Sequence, residues 1–182
     1  LILLFLVKFF KTSEVEQVKL KKIASNTRIA SFRSAKKIAR KIYKNHPVTF
    51  YCGCSFLGNQ INYDKCSYNP RQAQSVRAKR IEWEHIVPAA EFGRRIKAWK
   101  KGDPSCQTKA GKYFRGRRCA RYVSKDFRRM EADLYNLVPV IGEINQLRSD
   151  SPMQDHYESS LKFKDCQTIV SSSAIPPRPE IR

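Results

Sequence analysis

The sequence is poor in acidic residues, glycine and histidine. Its 182 residues include 16 Asp and Glu against 36 Lys and Arg, a formal net charge of +20. Only seven glycines occur and 41% of the residues are hydrophobic, which excludes a collagen-like or a disordered chain. No internal repeat or low-complexity block is present. This length is enough for one domain with a substantial core and hardly enough for two.

Long apolar runs are also missing. Residues 1–10 are apolar except for Lys8, a run too short to span a bilayer and of the length of a signal-peptide core. We therefore expect residues 1–28 to be a signal-peptide remnant with a basic leader, and the protein to be periplasmic or secreted. No other apolar run is long enough for a membrane helix, and no membrane partner is expected.

The surplus of positive charge indicates a polyanionic partner, with nucleic acid as the first candidate. An anionic membrane surface and a merely solubilising charge are the alternatives. Basic residues interleaved with aromatics are concentrated between Arg94 and Arg129, as in a surface that holds phosphates and stacks on bases. A solvated face whose aromatics point into the core would give the same pattern. The candidate contacts are Arg94, Arg95, Lys101, Arg117 and Arg118.

An even number of cysteines in a small basic chain predicts disulfide bonds and an oxidising compartment. The six are Cys52, Cys54, Cys66, Cys106, Cys119 and Cys166. A structural zinc site would need paired C-x-x-C strings, which this chain lacks. The pairing stays open at this point, although Cys106 and Cys119 bracket a basic stretch whose ends a disulfide could join.

The apolar periodicity predicts a mixture of helices and strands. Three further expectations are a basic loop over 102–121, Pro139 in the first turn of a helix that ends near Leu147, and a loop for the serine- and proline-rich tail. The predicted helices are 31–43, 72–79, 89–100 and 124–134, and the predicted strands are 48–51 and 80–87.

A polar group interrupts the predicted strand 80–87. Burying Glu82, Glu84 and His85 is costly unless they are paired or bind a cation. A carboxylate can hold Mg²⁺, and a neutral histidine can take a proton from water. A strand with one solvent-exposed polar face is the alternative. Because strand side chains alternate, Glu84 and His85 can serve one centre only if the strand bends or ends between them.

A second polar group surrounds Asn136. Its side-chain oxygen could be a neutral ligand for a hard cation, or it could cap a helix. Further along, Arg148 follows the string G-E-I-N at 142–145 and could hold a phosphate through two parallel hydrogen bonds. A surface arginine is the alternative.

Four strings in order resemble the bacterial endonuclease I family, whose members are periplasmic or secreted nucleases with a ββα-metal (His-Me finger) site. The resemblance extends from about Ala30 to the last residue. The strings are Y-K-N-H-P-V-T-F-Y-C-G-C at 43–54, E-W-E-H-I-V-P-A at 82–89, M-E-A-D-L-Y-N-L at 130–137 and G-E-I-N at 142–145.

The resemblance implies a single α+β domain over 29–182, with a ββα-metal core surrounded by helices and disulfide-stapled loops. It implies that Glu84 and Asn136 hold one Mg²⁺ per active site, with Mn²⁺ and Ca²⁺ as alternatives, and that His85 is the general base. The expected activity is sequence-non-specific hydrolysis of DNA, and of RNA as well, to 5′-phosphate and 3′-hydroxyl ends. Contacts to backbone phosphates and a monomeric state are expected.

Three departures from the family pattern stand out. Tyr135 replaces a histidine, and the family's phosphate-holding arginine has no clear counterpart, with Lys101 as the nearest basic candidate. Family members also continue beyond the position of Arg182, so a truncated domain is expected. The alternative functions are accordingly an inactive relative that only binds nucleic acid, and a cationic protein that acts on membranes.

Overall fold

The computed structural model describes residues 26–153, apart from 65, 67 and 73, together with 161–163 and 166–170. The predicted leader lies almost wholly outside the described residues, as does the serine- and proline-rich tail. Within the described part the chain combines short helices with three two-stranded sheets, which is an α+β arrangement. No helix of this part is long and apolar enough to cross a membrane.

The first helix, α1, spans Phe32–Ile42 and confirms the prediction from apolar spacing. The Ser31 side chain caps it by accepting a hydrogen bond from the backbone N–H of Ser34 at 3.2 Å. Ala35 and Ala39 are buried on one face, while lysines and arginines lie on the other. The helix therefore packs closely on the core through small residues and keeps its charges outside.

Three antiparallel strand pairs follow along the chain. In the central pair, Ile81 lies opposite Ile141 and His85 opposite Leu137, so the ladder joins segments far apart in sequence. The pairs are β1 (Ser55–Leu57) with β2 (Gln60–Asn62), β3 (Ile81–His85) with β4 (Leu137–Ile141), and β5 (Leu161–Phe163) with β6 (Cys166–Val170).

Five further α-helices follow in the described part of the chain, and each has between five and eight residues. They are α2 (Ala89–Gly93), α3 (Lys97–Lys101), α4 (Gly116–Val123), α5 (Lys125–Glu131) and α6 (Gly142–Arg148). Helix α5 lies within the predicted helix 124–134. The single helix predicted over 89–100 is instead two helices, because the backbone is extended at Ile96. The predicted basic loop over 102–121 is wrong in its last part, where α4 begins.

Pro139 lies in strand β4 opposite Trp83, not in the first turn of a helix as predicted. A two-stranded ladder leaves alternate backbone N–H groups unbonded, so a proline fits at such a position. Its carbonyl accepts a hydrogen bond from the N–H of Phe50 at 2.9 Å. The described residues of the predicted helix 72–79 form turns and bends, and the predicted strand 48–51 is reduced to an isolated bridge at Val48.

Three apolar clusters and three disulfide bonds of the described residues hold these elements together. The largest cluster joins α1, β3, β4 and α6, a second surrounds Phe127 of α5, and a third packs Ala98 of α3 against Cys106 and Cys119. The six cysteines pair as Cys52–Cys166, Cys54–Cys66 and Cys106–Cys119. The predicted use of all six cysteines in disulfides is confirmed, including the bond that closes the basic stretch between Cys106 and Cys119.

Candidate active site

A cavity of about 110 Å³, which we call the central cavity, lies where β3 ends. Since β3 stops at His85, both Glu84 and His85 line this cavity despite pointing to opposite sides of the strand. Helix α6 contributes Asn145 and Arg148, α4 contributes Arg117, and α1 contributes Phe32. The other lining residues are Trp83, Pro88, Ala89, Ser149 and Asp150.

His85 is held in one orientation by the backbone. Its Nε2 lies 2.9 Å from the carbonyl oxygen of Glu131, and because a carbonyl only accepts, Nε2 carries the proton. In the neutral ring Nδ1 is then the basic nitrogen. The Phe32 ring stacks on the imidazole with 5.0 Å between ring centroids. Burial lowers the pKa of His85, outweighing the opposite effect of the Glu131 hydrogen bond, so the ring is neutral at neutral pH.

Glu84 is a buried carboxylate, 4% exposed. Its Oε1 accepts a hydrogen bond from Nη1 of Arg148 at 2.6 Å, and the Tyr51 hydroxyl also bonds it. Burial raises the pKa of Glu84, while Arg148 and Tyr51 oppose that rise. A divalent cation beside this group would favour its ionised form.

Asn145 is the asparagine that the fold brings to the central cavity. Its Nδ2 donates to Oε2 of Glu82 at 2.8 Å, and Glu82 in turn accepts from Arg77 and Arg80. Because a carboxylate only accepts, this bond fixes the NH₂ end of the amide and leaves Oδ1 as its ligand atom. Sequence reasoning missed Asn145. Its one signal was the spacing to Arg148, which places both residues on one face of α6.

Asn136, predicted as a metal ligand, has a different role. Its Oδ1 accepts from the Val87 N–H at 2.7 Å, and its Nδ2 donates to the Val87 carbonyl at 3.0 Å. It does not belong to the described residues that line the central cavity. The side chain instead fixes the turn that follows His85, because both ends of its amide are bonded to that backbone.

Arg148, predicted as a phosphate ligand, is 1% exposed and bonded to the protein. Besides Glu84 its guanidinium donates to the carbonyls of His85, Ile86 and Ser151 at 2.7 to 2.9 Å. These bonds join the end of β3 to the end of α6. The geometry therefore makes Arg148 a positioning residue for Glu84 and His85, and conflicts with a direct phosphate contact.

Arg117 is the predicted basic contact that reaches the central cavity with unused donors. Its Nε donates to Oε1 of Glu131, and its Cζ lies 5.5 Å from the centre of the Phe32 ring. Its Nη2 is shielded from solvent and has no acceptor in the part of the chain that the structure describes. A phosphate oxygen in the cavity would supply one.

The other predicted basic contacts lie elsewhere on the surface. Lys101 lines a separate cavity of about 550 Å³ beside the Cys106–Cys119 loop, so the fold does not support it as the phosphate-holding residue. Arg94 is 3.5 Å from Glu91 and from Asp150, and Arg118 lies over the ring of Phe114 at 4.2 Å. Arg95 is exposed.

The donor set of the central cavity fits a hard divalent cation. In the described part of the chain no group of three or more His, Cys, Asp or Glu residues could hold a metal. One carboxylate, Glu84, and one amide oxygen, Asn145, are a small set of oxygen donors. Mg²⁺ binds to such sets because it keeps several waters and takes further ligands from substrate phosphates.

The sequence is similar to known nucleases over most of its length. A family model described as Endonuclease I matches residues 7–174. An extracellular deoxyribonuclease of Aeromonas hydrophila is 38% identical over 162 residues, which cover 85% of this chain and 64% of the relative. A periplasmic deoxyribonuclease of the same species is 37% identical over 160 residues, 84% of this chain and 61% of the relative.

An Endonuclease-1 of Buchnera aphidicola subsp. Acyrthosiphon pisum is 41% identical over 126 residues, 67% of this chain and 44% of the relative. The matched part of the chain thus spans between 44% and 64% of the length of these three relatives.

Proposed function

Because the chain belongs to the endonuclease I family, we propose that it is a metal-dependent nuclease that hydrolyses DNA, and RNA as well, without regard to sequence. The observation that carries the proposal is the neutral, oriented His85 in one cavity with Glu84 and Asn145. The names of the relatives, extracellular and periplasmic deoxyribonuclease, support DNA as a substrate. They also support a location outside the cytoplasm, as do the three disulfides.

In the proposed mechanism His85 is the general base. Its Nδ1 takes a proton from water as the water oxygen attacks phosphorus, and its Nε2–H keeps its bond to the Glu131 carbonyl. The bond from phosphorus to the 3′ oxygen breaks, and that oxygen takes a proton from solvent. The products carry 5′-phosphate and 3′-hydroxyl ends.

Glu84 and Asn145 are the residues that would hold the divalent ion, which we expect to be one Mg²⁺ per site, with Mn²⁺ or Ca²⁺ as alternatives. When bound, such an ion supplies positive charge beside the phosphate and the leaving oxygen. Arg117 would donate from Nη2 to a phosphate oxygen. Arg148 holds the Glu84 carboxylate and the His85 backbone in place.

The elements β3, β4 and α6 are the proposed ββα-metal core. They supply Glu84, His85 and Asn145, and α6 follows β4 without an intervening loop. We also propose that 29–182 is one nuclease domain acting as a monomer. Since no base-reading motif accompanies the site, contacts to backbone phosphates would dominate binding.

The proposal is tested by cleavage of plasmid DNA and of RNA by the oxidised protein, with Mg²⁺ and with EDTA. The variant His85→Ala should lose about 10²–10⁴-fold in rate, because a general base contributes about that much. His46→Ala is the matched control, since His46 is exposed and outside the central cavity. EDTA should abolish cleavage by the wild type.

Two results would contradict the proposal. Cleavage that survives both EDTA and His85→Ala would remove the metal and the base from the mechanism. A folded wild type that binds DNA but cuts neither substrate at any Mg²⁺ concentration would identify a binding protein and not an enzyme.

A further inference from the structure

A second cavity, of about 300 Å³, adjoins the central cavity on the side of α1. The Phe32 ring belongs to the lining of both cavities. The Phe32 ring stacks on the His85 imidazole, and Lys36 Nζ lies 4.9 Å from the centre of the same Phe32 ring. The full lining is Ser31, Phe32, Arg33, Lys36, Arg121, Arg128 and Glu131.

The charges around this second cavity are not balanced. Among the described residues that line it, four are cations and Glu131 is the single carboxylate. Glu131 is already bonded to Arg117 and Arg121, so it leaves Arg33, Lys36 and Arg128 uncompensated. Cations held this close repel one another, and a bound anion would relieve that repulsion.

The pKa of Lys36 reflects this local excess of positive charge. Burial lowers the pKa of its ammonium, and so do the neighbouring charges of Arg40, Arg121 and Arg33. Arg128 is partly fixed in position because its Nη1 donates to the carbonyls of Arg121 and Tyr122. The cavity is thus a positively charged recess with a partly preorganised wall.

We propose that Arg33, Lys36 and Arg128, which we call the α1 phosphate site, bind a backbone phosphate of the substrate strand close to the phosphate that is cut. The proposal rests on the proposed function, since it takes the scissile phosphate to lie between His85 and Arg117. Because Phe32 lines both cavities, neighbouring phosphates of one strand can occupy both. The site would add affinity for polymeric substrate and take no part in the chemistry.

The double variant Arg33→Gln/Lys36→Gln tests the site. Its matched control is Lys37→Gln/Lys41→Gln, which removes two exposed charges from the same helix at positions outside the cavity. The two substrates are a 20-nucleotide DNA strand and bis(4-nitrophenyl) phosphate, which carries a single phosphate. We expect the first variant to raise KM for the strand roughly tenfold over the control, with kcat and hydrolysis of the small diester unchanged.

Binding gives a second readout that does not depend on cleavage. With His85→Ala added to each double variant, binding of a duplex made from the 20-nucleotide strand and its complement is followed by fluorescence anisotropy at several salt concentrations. The log–log slope should be shallower for Arg33→Gln/Lys36→Gln than for the control by about 0.9, the value for one phosphate contact in a duplex.

Equal KM values and equal slopes for the two double variants would overturn the α1 phosphate site. An equal loss on the strand and on the small diester would also overturn it, because the residues would then act on the chemistry. If the wild type cut neither substrate, the proposed function would fail, whereas the slopes would still decide whether a phosphate binds at α1.

Discussion

Two asparagines show how side-chain placement distinguishes a candidate ligand from a residue bonded only to the backbone. Asn145 turns its NH₂ to Glu82 and lines the central cavity. Asn136 uses both ends of its amide on the backbone of Val87. The residue type is the same, so the difference in role comes entirely from the partners that the fold provides.

Asn145→Ala should raise the Mg²⁺ concentration needed for half-maximal cleavage by tenfold or more, because it removes one of two proposed protein ligands. Asn136→Ala should leave that concentration nearly unchanged and lower the free energy of unfolding by about 1–3 kcal/mol, since two hydrogen bonds are lost. Cleavage at graded Mg²⁺ and urea unfolding of both variants provide the measurements. The reverse assignment of effects would favour Asn136 as the ligand.

The sequence was sufficient to predict His85 and Glu84 as candidate site residues, because a polar pair in an apolar strand is a local conflict, and the fold places both at the central cavity. It was not sufficient for Asn145 or for the burial of Arg148. An asparagine is equally suited to a cap, a surface and a metal site. Which of several arginines is buried depends on where Glu84 and the carbonyls of β3 lie after folding.

At the scale of elements, Glu131 clamps α5 to α4. It is fully buried, and its carboxylate accepts from Arg117 and Arg121 while its carbonyl holds His85. Burial works to raise the pKa of Glu131, but the bonds and charges of the two arginines outweigh burial and hold the pKa below the ordinary value of 4.5. The ionised form therefore stabilises the fold.

The stability of the wild type should consequently fall in acid, as this carboxylate becomes protonated. The contribution of Glu131 is fully present above about pH 4.5 and is lost as the pH falls through the lowered folded-state pKa. Glu131→Gln should melt at a lower temperature than the wild type at pH 7, and the difference should shrink below pH 4.5. The control is Glu91→Gln, at an exposed glutamate, and it should change the melting temperature little at either pH. A difference that grows in acid would contradict this role.

Helices and strands were predictable from the sequence where a local residue pattern determines which of the two forms. Helix α1 has apolar residues at helical spacing, and its Ser31 cap is visible in the sequence. The helix predicted around Pro139 failed because proline is common in a first helical turn and also fits an edge strand. What decides between them is pairing with β3, a contact between Trp83 and Pro139 that no local window contains.

At the scale of the whole molecule, the disulfides differ in the length of chain they close. Cys52–Cys166 closes a separation of 114 residues, and Cys106–Cys119 closes one of 13. Loop-closure entropy predicts that the first restricts the unfolded chain more than the second. The Cys52–Cys166 bond also joins strand β6 to the segment that precedes β1.

Cys52→Ala/Cys166→Ala should therefore lower the free energy of unfolding by about 5 kcal/mol, against about 3 kcal/mol for Cys106→Ala/Cys119→Ala. Guanidinium unfolding of the two variants beside the oxidised wild type measures both losses. A larger loss for the shorter loop would show that native packing near Cys106 and Cys119, and not chain entropy, sets the ranking.

The buried pair of Glu84 and Arg148 has a consequence for how this protein can change by mutation. Either residue alone would leave the other as an uncompensated buried charge, at a cost of about 3–5 kcal/mol. A lineage would thus cross a strongly unfavourable single-mutant step before reaching any double replacement. The two positions are epistatic, and an arginine that does not itself react thereby constrains replacement of the proposed ligand carboxylate.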